Sequence, residues 1–206
     1  MKWEGVHYLV EFKDSKKFTS KKKIKEVAEY LKENVPNYAI SYIDEKEIDK
    51  INILNASYKA MHTAIKKLLE NSVDNSVDNS VDNRAENSID YNNFVLLVDG
   101  KYFKPYTYFN NTELKQVNHI TIEGGDNIYC SIAAASILAK VEHDQYIEDL
   151  CKEYPKLHEY YGLNNNKGYG TKQHIEGIKK YGISPWHRTT YSTCKNTTIN
   201  QEDFYK

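Results

Sequence analysis

Glu-Gly-Gly-Asp-Asn-Ile-Tyr-Cys-Ser-Ile-Ala-Ala-Ala-Ser-Ile-Leu-Ala-Lys-Val-Glu-His-Asp, residues 123–144, sets a carboxylate, Asp126, directly ahead of a helix rich in small side chains. Such a helix can lie close to something bulky and anionic. A second carboxylate, Asp99, ends the apolar run Phe94-Val95-Leu96-Leu97-Val98 and precedes Gly100. A short unbroken apolar run reads as a buried strand, so Asp99 falls where that strand opens to solvent. A strand, a carboxylate-bearing loop and then a long helix predict an α/β fold. The two acids suggest a metal-dependent phosphodiesterase site.

Working toward the N-terminus, Thr19 or Ser20 can cap a helix whose apolar stripe is Ile24, Val27, Ala28 and Leu31, ended by Asn34-Val35-Pro36-Asn37. Tyr38 to Ile43 alternates enough to predict a strand, and Asp44 can cap a short turn of helix through Asp49. A longer helix is predicted from Asn52 to Glu70, docked through Leu54, Tyr58, Met61, Ile65 and Leu68. Residues 71–83 repeat Asn-Ser-Val-Asp three times and add an Asn. With no face to bury, residues 71–90 read as a disordered insertion that interrupts one domain.

Beyond the insertion, strands are expected at Phe94 to Val98 and near Asn118 to Ile122, with a helix from Ile128 to Cys151. A short helix at Tyr154 to Tyr160, a Gly- and Asn-rich loop from Gly162 to Gly170 and a helix from Thr171 to Tyr181 stopped by Gly182 follow. The polar tail from Cys194 onward is expected to fray.

At 206 residues the chain can form one domain with a real core. Its formal charge of −1 neither demands nor excludes a nucleic-acid partner, because clusters of basic residues decide that. Three widely spaced cysteines without a Cys-x-x-Cys pair argue against a disulfide framework or a zinc site. The seven histidines form no His-Glu-x-x-His pattern. With no apolar leader and no membrane-length run, a cytoplasmic monomer is expected.

Several motifs, in order, resemble the type 2 ribonucleases H, called ribonuclease HII in bacteria. Lys13-Asp14-Ser15-Lys16-Lys17-Phe18 is similar to the family's Asp-Ser-Lys-Lys-Leu segment, and Ile51-Asn52-Ile53-Leu54-Asn55-Ala56 to the start of one of its helices. Leu97-Val98-Asp99-Gly100 resembles the strand delivering its third catalytic acid, and Gly124-Gly125-Asp126 the position of its fourth. Ser131 to Val141 resembles its Ser-Ala-Ala-Ser-Ile-Leu-Ala-Lys-Val helix, Lys167 to Lys172 its Lys-Gly-Tyr loop, and Pro185-Trp186-His187-Arg188 its Pro-x-His-Arg ending.

The resemblance implies a ribonuclease H-like mixed sheet with flanking helices over residues 1–193, and a polar tail at 194–206. It implies Mg²⁺ or Mn²⁺ held by Asp99 and Asp126. It assigns Tyr169 to the sugar at an RNA-to-DNA junction, and Lys16, Lys17, Lys140, Lys167 and Lys172 to phosphates. The residues alone leave blander roles open. Asp-Gly after a strand is a common turn, Gly-Gly-Asp an ordinary loop, and the lysines a solvated surface.

The family's N-terminal Asp-Glu strand and Gly-Arg-Gly loop find no match here, and with them go two catalytic acids and two central strands. Glu4 and Glu11 are the only acids before Asp14, and Val6 to Phe12 could supply one strand at most. The chain alone is therefore expected to be aggregation-prone or to depend on a further segment. Three readings follow: an endonuclease acting on RNA/DNA hybrids or cutting 5' to ribonucleotides embedded in duplex DNA, an inactive relative that only binds hybrids, and a decayed product without function.

Overall fold

The computed structural model describes residues 15, 18–74, 94–109 and 112–204. The Cα trace separates into two compact units, 1–40 with 62–141, and 41–61 with 142–206. The architecture is α/β, with helices and two small sheets.

In the first unit, α1 (Lys21–Asn34) starts where the Ser20 hydroxyl accepts the Lys23 N–H at 3.4 Å. It ends at Val35, whose extended backbone is the conformation forced on a residue before proline. Ile24, Val27, Ala28 and Leu31 form its buried stripe, as the spacing predicts, and pack on Ile137, Leu138 and Val141. Those three belong to α4 (Cys130–Glu153). Ala134 packs partly buried against the same cluster, so part of the small-residue face serves helix packing. Ser15 Oγ lies 3.0 Å from Ser136 Oγ.

Two sheets stand on this unit. β1 (Val95–Asp99) pairs in parallel with β4 (Asn118–Ile122), Asp99 lying opposite Ile122. β2 (Thr107–Phe109) pairs antiparallel with β3 (Leu114–Gln116), a hairpin that the sequence does not announce. Val98 is buried, whereas Val95, Leu97 and Ile120 are exposed.

α3 (Ile53–Asp74) corrects its expected stripe: Leu54 and Met61 are exposed, and Ala56 and Leu69 are buried. It also runs four residues past Glu70, into the expected insertion. The rest of that segment, 75–90, lies outside the described residues, as do Lys16, Lys17 and Val6 to Phe12. The strand expected at Tyr38 to Ile43 is absent: those residues carry no regular structure.

The second unit is helical. α2 (Glu45–Ile51) is capped by Asp44, whose Oδ1 accepts the Glu47 N–H at 2.8 Å. α5 (Lys156–Tyr161), the one-turn α6 (Leu163–Asn166) and α7 (Lys172–Tyr181) surround Leu157, Tyr161, Leu163, Ile178 and Ile183. The expected frayed tail is instead docked. Ile183 bridges Ile199, and Cys194 and Phe204 join the core. Asp203 pairs with Lys156, whose bond holds its carboxyl below the usual range. Among the described residues no helix is long and apolar enough to cross a membrane.

Candidate active site

The carboxyl ends of adjacent parallel strands are where α/β sheets present ligand-binding side chains. Asp99 is the last residue of β1, and the chain leaving β4 turns at once through Gly124, in left-handed backbone, into a 3-10 turn, Gly125–Asn127. That turn carries Asp126. One bond ties Asp99 to that turn: the Gly125 N–H donates to Asp99 Oδ1 at 2.9 Å. A Cβ on Gly125 would lie 2.6 Å from Ile132 Cδ1, so the end of that buried side chain would have to shift to admit one.

Asp99 is exposed and Asp126 is 9% exposed, its Oδ1 accepting the Asn127 side-chain amide at 3.0 Å. Lys101 and Glu123 form an exposed ion pair at 3.3 Å beside these residues in the chain, a type worth little to stability.

Two hard oxygen donors fit a small divalent cation, since Mg²⁺ keeps several waters and is commonly held by one or two carboxylates plus substrate phosphate. Among the described residues no group of three or more His, Cys, Asp or Glu is placed to hold a metal ion.

A second feature lies wholly in the other unit. Lys167 and Gly168 both take left-handed backbone, and Asn166 pins the turn: its Oδ1 accepts the Gly168 N–H at 2.9 Å and its Nδ2 donates to Tyr161 O at 2.7 Å. Tyr169 follows, 68% exposed. Its N–H donates to Asn166 O at 2.9 Å, and its carbonyl accepts the Thr171 N–H at 2.8 Å. Thr171 then caps α7. The backbone beneath this exposed ring is therefore held through both its N–H and its carbonyl.

The lysines divide. Lys172 is exposed at the start of α7, 3.9 Å from Glu176. Lys140 is half-buried on α4. Lys167 is 6% exposed, and its Nζ donates to Glu148 Oε1 at 2.8 Å. Removing either partner of a buried ion pair strands the other charge.

Sequence reasoning missed a buried histidine pair. His174 Nε2 lies 2.9 Å from His187 Nε2, and Ser184 closes on the far side of His187 through its N–H at 3.0 Å and Oγ at 2.7 Å. Burial pushes the His187 imidazole down to about 4, with His174 beside it and the Arg188 charge acting the same way. Burial lowers His174 too, against the hydrogen bond to Tyr169 O. The pair is separated by twelve residues, a spacing that carries no motif. Asp49 was likewise unremarked, yet its carboxylate accepts the N–H and hydroxyl of both Thr189 and Thr190. Burial alone would raise its carboxyl, and those bonds outweigh it.

A family model described as Ribonuclease HII matches residues 7–194. The chain is similar to proteins named Ribonuclease HII. One, from Caldanaerobacter subterraneus subsp. tengcongensis, is 41% identical over 184 residues, covering 89% of this chain and 62% of that protein. Another, from Parabacteroides distasonis, is 38% identical over 179 residues, 87% of this chain and 73% of its own. A third, from Rickettsia africae, is 36% identical over 194 residues, 93% and 80% respectively.

Proposed function

We propose, from the premise that this chain belongs to the ribonuclease HII family, that it is an endonuclease that hydrolyses phosphodiesters in the RNA strand of RNA/DNA hybrids or 5' to ribonucleotides embedded in duplex DNA. The observation that carries the proposal is one carboxylate at the end of β1 and another on the turn that follows β4, the strand and turn being linked by the bond from Gly125 N–H to Asp99.

Asp99 and Asp126 hold Mg²⁺ or Mn²⁺. When bound, such a cation neutralises phosphoryl oxygens and activates water. The chain's own contribution is placement. Asp99 Oδ1 is oriented by the Gly125 amide and Asp126 Oδ1 by the Asn127 amide, so neither carboxylate has to be ordered when substrate arrives. Tyr169 takes the sugar at the junction. Lys140 and Lys172, with Lys16 and Lys17, take phosphates, contacts that position the duplex without reading its sequence. Lys167 instead holds the Tyr169 loop against α4 through Glu148.

A second reading, a relative that binds hybrids without cutting them, draws support from the size of the described acid set, two carboxylates with no third ligand beside them. Asp99→Asn separates the two. It abolishes cutting under the first reading and scarcely changes hybrid binding under the second. Metal-independent cutting, or full cutting by Asp99→Asn, refutes the proposed site.

A further inference from the structure

The hydrogen bonds around the two buried histidines run in one direction only. A backbone N–H cannot accept, so Ser184 N–H fixes His187 Nδ1 as an acceptor. The Ser184 hydroxyl donates to the same nitrogen. The His187 proton therefore sits on Nε2 and is donated to His174 Nε2, 2.9 Å away. That makes His174 Nε2 an acceptor and puts its proton on Nδ1, which lies 3.0 Å from the carbonyl oxygen of Tyr169. Each bond requires the tautomer set by the one before, and both rings must be neutral.

We infer that His174 and His187 are positioning residues for Tyr169, a neutral relay from Ser184 that tethers the carbonyl of an exposed ring to the buried core. The inference rests on the role proposed above for Tyr169. Both histidines are buried, and their bonds reach the surface only at the Tyr169 carbonyl, so they act through the tyrosine loop. Their surroundings favour the neutral state. The edge of the Tyr161 ring packs on His187, with centroids 4.7 Å apart. Arg188, whose guanidinium stacks on Tyr191, is the charged side chain that acts on both rings. Protonating His187 would set its Nδ1–H against the Ser184 N–H, and protonating His174 would set two Nε2–H donors against each other, so either breaks the relay.

Two variants of one residue test this, because asparagine and glutamine amides overlay different imidazole nitrogens. His174→Asn keeps a donor at the Nδ1 position and so keeps the tether. His174→Gln keeps the contact with His187 and loses the tether. With a duplex containing one ribonucleotide, His174→Gln is expected to lower kcat/KM about tenfold, the order of one lost stacking contact. His174→Asn should restore activity to near that of the unaltered chain. In a Tyr169→Ala background, His174→Gln should add nothing. Equal activities of the Asn and Gln variants, or an additive loss with Tyr169→Ala, would overturn the inference.

A second readout does not depend on activity. Imidazole ¹⁵N NMR of the full chain should find the Nδ1–H tautomer at His174 and the Nε2–H tautomer at His187. Hydrogen exchange at the Thr171 amide, which donates to Tyr169 O, should quicken in His174→Gln. The opposite tautomers, or unchanged exchange, would sink the relay. An inactive chain, or a Tyr169→Ala variant with full activity, would refute the functional reading alone, and these spectra would then decide the inference.

Discussion

Acid should unfold this protein through its histidine pair before it reaches the carboxylates. His187 falls from 6.5 in the unfolded chain to about 4 in the fold. At about 1.4 kcal/mol per unit, that difference is worth about 3 kcal/mol. The sign follows from proton counting. Between those two values the unfolded chain binds a proton that the folded chain refuses, so stability is fully present above about 6.5, drains as pH falls, and is exhausted near 4. His174, lowered in the same direction by its burial, adds to the loss as pH falls. The assay is urea unfolding followed by circular dichroism at a series of pH values, for the unaltered chain and for His187→Asn. Asparagine can still accept from Ser184 at the Nδ1 position and does not titrate. The stability advantage of the unaltered chain over the variant should shrink by about 3 kcal/mol between about pH 7 and about pH 4. Parallel profiles would refute the reasoning, since they would mean that His187 is not held neutral by its burial.

Two further substitutions probe the scaffold. Gly125→Ala should destabilise by about 1–3 kcal/mol and impair any activity of the site, because its Cβ would meet Ile132 Cδ1 at 2.6 Å. Adding Ile132→Val, which removes that methyl, should recover much of the loss, and thermal melts with cleavage assays check both. Glu148→Ala should cost about 3–5 kcal/mol in urea unfolding by leaving the Lys167 ammonium buried and unpaired. A loss under about 1 kcal/mol would show the pair to be solvated after all.

Helices were legible where local chemistry decides them. Ser20, Asp44 and Thr171 each accept an N–H at the start of a helix, and a proline or glycine follows the end of α1 and of α7. The strand carrying Asp99 and the turn carrying Asp126 were readable for the same reason. What failed depended on partners distant in sequence. Tyr38 to Ile43 alternates like a strand, yet no described strand pairs with it. β2 and β3 are three residues each, too short for any period to register. Phe204 sits in a polar tail and is buried only because the α5 and α7 core receives it. The same holds at the candidate site. Asp99 and Asp126 lie on recognisable local frames, whereas the buried state of Lys167 comes from Glu148, nineteen residues earlier. The histidine relay needs Ser184, His187, His174 and Tyr169 together, and no local pattern contains them.

The central claim is that Asp99 and Asp126 form the metal-holding centre of a nuclease. It is tested most directly by incubating the purified chain and its Asp99→Asn variant with a labelled DNA duplex containing one ribonucleotide, with Mg²⁺ or Mn²⁺ and with chelator. The account predicts metal-dependent cutting 5' to the ribonucleotide by the unaltered chain and none by the variant. A folded chain that binds the duplex and leaves it intact, or a variant that cuts as well as its parent, would contradict it.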